Sequence, residues 1–270
     1  MNFLFFFYLV GLIIAVYQDF TRREIDDWLN LFLFFSGVLF LIVSGNLLIG
    51  SSLVLFGFFI FIISLLSFGF YYARFFSGGD SKLFFAISPL LFGSFYNFSF
   101  FYILYFSFSL FLCGSIYSLI YAFYLFLRDF RKTSKYFMSE IKKKANILLL
   151  SLGILFFIIG LFEKIVFSIS FFILLFVLLI CLAKTLEETS MKRLVSTKNL
   201  KEGDWLFNDI KIGNKIFKKD WDGLRAEDIL YAKRFNKKVF IKDGIPYAPS
   251  FLFAIILFYF KDFVIKFLFF

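Results

Sequence analysis

Histidine is absent from all 270 residues. That removes histidine-based triads, histidine metal sites and imidazole proton shuttles together. Cysteine is almost absent: Cys113 and Cys181 both fall inside long apolar runs. Two such residues read as buried thiols and are too few for a disulfide framework or a cysteine zinc site. Charge is also scarce. Charged residues make up 18% of the chain, against about a quarter in an ordinary soluble domain. What fills the space is apolar: 61% hydrophobic residues, 50 of the positions Phe, and a mean hydropathy of +0.87. This excludes a disordered chain, a collagen-like chain and a typical cytosolic enzyme, and it reads as an integral membrane protein.

The apolar residues come in runs. The first, Asn2 to Tyr17, lacks the basic flank and small-residue cleavage site of a secretory signal, so it reads as a first transmembrane helix. Others cover about Trp28 to Val43, Leu47 to Tyr72, Leu83 to Phe95 and Phe98 to Leu127. After a basic polar segment, Arg128 to Asn146, come Ile147 to Phe162 and Ile165 to Ala183, and a last run starts at Ser250. Several are shorter than the roughly 20 residues of a full span, and the run from Leu83 is expected to cross only partly. The expected fold is an all-α polytopic membrane protein, with about six to eight transmembrane segments and a small α+β cytoplasmic insert. The insert is the charged stretch from Lys184 to Pro249. Within it, Gly203 to Leu206 and Val239 to Ile241 have strand character, and Arg225 to Phe235 has helical spacing.

The net charge of +10 would suit nucleic acid, but its placement favours a membrane. With the N-terminus outside, the inside segments are about 18–28, 74–82, 128–146 and 184–248. They carry 26 of the 29 Lys and Arg residues. The loops near Gly45 and Asn97 carry none. Positive residues mark the cytoplasmic side and its anionic leaflet, so the lipid bilayer is the expected partner and nucleic acid is not.

Two acidic residues stand out by position. Asp19 follows the first run, and Asp80 opens the fourth. Two crossings separate them, which returns the chain to the same face and puts both carboxyl groups at a similar depth. Close carboxyls share a proton, one acting as base toward water and the other polarising a carbonyl. The structural alternatives are an Asp80 helix N-cap and an interfacial ion pair of Asp19 with Arg22 or Arg23. Lys82 either holds the ionised member of such a pair or reaches to the headgroups.

Around these carboxylates the sequence reads Asp19-Phe20-Thr21-Arg22-Arg23-Glu24-Ile25-Asp26-Asp27-Trp28 and Gly78-Gly79-Asp80-Ser81-Lys82. Further on come Glu202-Gly203-Asp204-Trp205-Leu206 and Gly244-Ile245-Pro246-Tyr247-Ala248-Pro249-Ser250-Phe251. In this order the pieces resemble the archaeal preflagellin and type IV prepilin peptidases, membrane aspartic proteases of the GxGD type. The resemblance implies catalytic aspartates at Asp19 and Asp80, with Gly78, Gly79 and Lys82 supporting the catalytic loop. Ser77 stands where the motif has its first glycine, and Gly79 is expected to give the backbone beside Asp80 glycine-only conformations. With the composition shift at Lys184, the expected organisation is a transmembrane peptidase core over 1–183, a small cytoplasmic domain over 184–248 and a C-terminal transmembrane helix over 249–270. Bacterial relatives add N-methylation and a cysteine-rich zinc segment. With two intramembrane cysteines this chain is expected to do proteolysis alone, with no metal or cofactor.

The family's substrates have a short basic leader, a small residue at the cut and a long apolar helix. Their scissile bond would lie at the inner interface. Asp26-Asp27 or Glu187-Glu188 could attract the leader. Two other classes remain open. One is a GxGD protease of other membrane helices, although such enzymes place Tyr directly before the first aspartate and Gln18 intervenes here. The other is a transporter or scaffold, against which stands the scarcity of ionisable residues within the apolar runs.

Overall fold

A computed structural model describes residues 2–47, 50–93, 100–220 and 223–260. Asn97, Trp221, Lys261, Asp262 and Lys266 lie outside the described residues. The chain is mostly helical and divides into two compact units, one made of residues up to Ser118 together with those from Ile245 onward, the other of Leu119–Gly244.

The first unit holds α1 (Asn2–Arg22), α2 (Asp27–Val43), α3 (Gly50–Tyr72), α4 (Gly78–Ala86), α5 (Ser88–Gly93), the first part of α6 (Phe100–Arg128) and α11 (Ala248–Tyr259). On α1, Leu4, Tyr8, Leu12 and Ala15 are buried at helical spacing, while Phe3, Phe6, Val10 and Ile13 are exposed. A helix apolar all round needs an apolar solvent on its outer face. Tyr8 ties α1 to α2 by donating its hydroxyl to the Leu33 carbonyl at 2.8 Å. Phe34 of α2 stacks on Phe85 of α4 at 4.9 Å.

The described part of the run expected from Leu83 to Phe95 falls in two short helices. The first begins at Gly78, before the apolar run does, because Ser77 caps it. It breaks at Ile87 because Pro89 has no N–H to continue the ladder. The Phe85 carbonyl instead accepts from the Ser88 hydroxyl at 2.7 Å.

The second unit holds the end of α6, then α7 (Phe130–Ile141), α8 (Lys144–Gly160), α9 (Lys164–Thr189), five strands and α10 (Ala226–Ala232). The basic segment read from sequence as an interruption is itself a helix, α7, set at 75° to α8. Thr133 and Glu140 share its buried face. Helices α8 and α9 form a hairpin whose close approach requires Gly160, where a Cβ would come within 2.5 Å of the Phe167 backbone.

The charged segment folds as expected, with mixed elements. Strands β1 (Lys192–Ser196), β2 (Trp205–Leu206) and β5 (Lys238–Lys242) make an antiparallel sheet in the order β1-β5-β2, with Val195 opposite Val239 and Leu206 opposite Ile241. Strands β3 (Ile210–Ile212) and β4 (Lys215–Phe217) form a hairpin. Leu206, Ile212, Phe217, Ile229, Val239 and Ile241 fill the core of this part. Asp204 serves its turn: its carboxylate accepts the Lys201 N–H at 2.8 Å and its carbonyl accepts that of Leu224.

Among the described residues, α1, α3, α6 and α9 are long and apolar enough to cross a membrane, and the bent pair α7–α8 would make a fifth span. The 17-residue α2 and 12-residue α11 are apolar but shorter.

Candidate active site

The site is built where α1, α4 and α11 meet in the first unit. Asp19 lies one turn before the end of α1 and is 7% exposed, and Asp80 lies in the first turn of α4 and is 8% exposed. Both are buried, although carboxylates are almost never buried unless partnered.

Asp19 is held from the far end of the chain. One of its carboxylate oxygens accepts the Ala248 N–H at 2.9 Å. This is one of the free donors at the start of α11, where Pro249 occupies the first turn. Gln18, the residue before Asp19, clamps the following loop: its amide donates to the Asp26 carboxylate and accepts the Asp26 N–H, both at 3.0 Å. That carboxylate also receives Arg22 at 3.4 Å and the Trp28 indole at 3.1 Å. Arg22 is thereby drawn to Asp26 and away from Asp19, while the Arg23 charge is the one that reaches Asp19.

Asp80 is not the N-cap of its helix. Ser77 takes that place, with extended backbone angles, and Asp80 closes a reciprocal capping box three residues on. The Ser77 hydroxyl donates to Asp80 Oδ2 at 2.7 Å, the Ser77 N–H donates to the same oxygen at 3.1 Å, and the Asp80 N–H donates back to the hydroxyl at 3.3 Å. Neither Gly78 nor Gly79 adopts a positive φ, and a Cβ on either would meet only ordinary contacts. Helical continuity of α4 through both residues replaces the expected glycine-only backbone.

Two features fix this turn in place. Ser67 of α3 donates its hydroxyl to the Ser81 carbonyl at 2.7 Å, and Ser81 returns the bond to the Ser67 carbonyl at 3.3 Å. Phe76, immediately before the cap, is buried against Phe70, Phe84, Phe111, Tyr247 and Phe251. The Tyr247 hydroxyl donates to the Leu110 carbonyl at 3.4 Å, and its ring lies 5.7 Å from that of Phe76.

Asp80 stands on a helix too short to span a membrane, and burial pushes its carboxyl up to about 6. The Ser77 hydroxyl pulls the other way, and the nearby Asp19 charge adds to the rise. The Tyr247 phenol is pushed up to about 12 by burial and by the Asp80 charge, so it is neutral at physiological pH. Two buried carboxyls, with the Asp19 charge felt at Asp80, are groups of the kind that do acid–base work.

Lys82 does not join them. Its ammonium pairs with Asp27 at 2.6 Å, both groups being exposed. Glu187 is likewise engaged by Lys242 at 3.0 Å and Glu188 by Lys192 at 4.0 Å. The two acidic patches considered for attracting a basic leader are thus already partnered by the chain's own cations. Among the described residues, no three His, Cys, Asp or Glu side chains come together in a way that could hold a metal ion.

Fold and site together define a multi-pass, mostly helical membrane protein with a buried pair of carboxyl groups. Residues 6–123 match the type IV leader peptidase family, and this stretch contains both Asp19 and Asp80. Over that stretch the resemblance read from the motifs is borne out. Comparison with curated proteins and with solved structures gives no match.

Proposed function

We propose that the protein is an aspartic endopeptidase that removes the short basic leader of prepilins or preflagellins at the cytoplasmic face of the cell membrane. The observation that carries this reading is the pair Asp19 and Asp80. They are buried, electrostatically coupled and contained in the stretch that matches the leader peptidase family.

In this mechanism Asp19 is the ionised member. The Ala248 N–H donates to one of its carboxylate oxygens. Asp80 carries the shared proton. Asp19 takes a proton from water as it attacks the scissile carbonyl, and Asp80 donates its proton toward the carbonyl oxygen. The roles then reverse as the amine leaves. An apolar substrate helix would lie in the bilayer with its leader in the cytoplasm, which brings the cut to the interface.

Incubating membranes containing the protein with a type IV prepilin tests this directly. The expected result is a mobility shift matching loss of the leader, with a single new N-terminus. An intact prepilin under conditions where the enzyme is folded would remove the reading.

Orientation follows from charge. Segments 128–146 and 184–248 carry 22 of the 29 basic residues, so both should face the cytoplasm. In a background with Cys113 and Cys181 replaced, a cysteine at Ser134 or at Ser196 should resist a membrane-impermeant thiol reagent in intact cells. Each should react once the cells are opened. Labelling of both from outside would reverse the topology.

A further inference from the structure

Ser77 departs from the glycine that the resemblance leads one to expect, and the departure has a chemical consequence. Its hydroxyl and its N–H converge on one oxygen of Asp80, Oδ2, at 2.7 and 3.1 Å. The hydroxyl has a single hydrogen, committed to Oδ2, and its lone pair takes the Asp80 N–H at 3.3 Å. The three bonds close on one another, with Oδ2 acting only as an acceptor. An oxygen that accepts two donors is a poor place for a proton.

We propose that Ser77 is a positioning residue for Asp80: by occupying Oδ2 as an acceptor, it confines the shared proton to Oδ1 and orients that oxygen as the acid. A glycine at this position would keep the backbone donor and lose the stronger hydroxyl one. The carboxyl would then be freer to rotate and to carry its proton on either oxygen. The inference rests on the dyad reading and adds to it the assignment of the two oxygens. It also gives the serine a function that helix capping alone does not require.

The groups acting on Asp80 are few, so the effect is attributable. From α1 comes Asp19, whose charge raises its pKa; from the residue preceding α11 comes the neutral Tyr247 phenol; from the cap comes Ser77 itself. The nearby Lys82 is turned to Asp27. Donation from Ser77 favours the ionised form, so its removal should keep Asp80 protonated to higher pH. For a hydrogen bond to a charged group the displacement is about one pH unit.

The test is an infrared titration of the full-length protein in lipid nanodiscs. The Asp80 carboxyl band is identified as the one missing in Asp80→Asn. In Ser77→Ala and Ser77→Gly the band should move to higher frequency, because its carbonyl oxygen has lost a donor, and its midpoint should rise by about one pH unit. Ser77→Thr, which restores the hydroxyl, should bring both back. The pH profile of prepilin cleavage should move upward in the same variants. If Ser77→Ala inserts poorly, Ser77→Gly gives the same reading. An unchanged band and midpoint in a folded Ala or Gly variant would reduce Ser77 to a helix cap and overturn the proposal. The infrared measurement needs no substrate, so a failure of prepilin cleavage in the unmodified protein would count against the peptidase reading alone.

Discussion

Asp19→Asn and Asp80→Asn should each abolish prepilin cleavage while leaving the protein inserted. Base and acid roles both require a carboxyl group, and each contributes about a hundredfold to ten-thousandfold. Residues acting as one unit are not additive, so the double variant should be no worse than either single one. Folding should survive, because an asparagine carbonyl can still accept the Ala248 N–H at position 19 or the two Ser77 donors at position 80. The pH linkage agrees for Asp80. Its pKa in the folded state lies near 6, above the ordinary 3.8. The stability tied to its protonated form is therefore present at low pH and lost as pH rises through about 6. At pH 7 the wild type carries that burden and Asp80→Asn does not, so the variant should unfold at an equal or higher temperature. Asp27→Asn is the matched control. It breaks an exposed ion pair with Lys82, of a kind worth below about 1 kcal/mol, and cleavage should persist. Substantial cleavage by a stably inserted Asp80→Asn protein would refute the aspartic mechanism.

Asp19 and Asp80 stand out in the sequence because each is an acidic residue at the edge of an apolar run. The short strings around them carry the family resemblance. The helices are equally legible: α2 and α9 begin within a residue of their apolar runs, since a bilayer demands continuous apolar stretches. Small polar groups are not legible in this way. Ser67 and Ser81 exchange bonds across fourteen positions, and nothing in a serine's neighbours announces a partner on another helix. Ser77 looks in sequence like a defect in a glycine motif. In the fold it is the donor that holds the carboxylate, because a serine three residues before an aspartate is also a capping box. The helix α7 is obscured by its charge: seven Lys and Arg in segment 128–146 read as a polar interruption of the apolar pattern, although the buried Thr133 and Glu140 lie seven residues apart on one face. The anchoring of Asp19 by Ala248 spans 229 positions, and only the tertiary fold could reveal it.

That long-range anchor makes a remote glycine sensitive. At Gly114, on α6, an added Cβ would lie 2.1 Å from the Tyr247 hydroxyl oxygen and 2.6 Å from the carbon that bears it. Flexible side chains usually escape such contacts, but Tyr247 is confined. Its ring packs against Phe76 and against Phe251 at 6.0 Å, and its hydroxyl bonds to Leu110, one turn back along α6. A side chain at position 114 therefore pushes Tyr247 as a body, and with it the next residue, Ala248, whose N–H holds Asp19. A displacement of about 1 Å in a catalytic group can cost on the order of a hundredfold in rate. Gly114→Leu should thus lower cleavage about a hundredfold, with kcat falling more than substrate affinity and with the inserted amount little changed. Gly114→Ala should have a smaller effect. Tyr247→Phe introduced into the Gly114→Ala background should recover part of the activity, because it deletes the atom of closest approach and leaves the ring. A Gly114→Leu enzyme that cleaves prepilin at the wild-type rate would show that the strap from Tyr247 to Pro249 does not position Asp19, and the dyad would then have to be held by α1 and the Gln18 clamp alone.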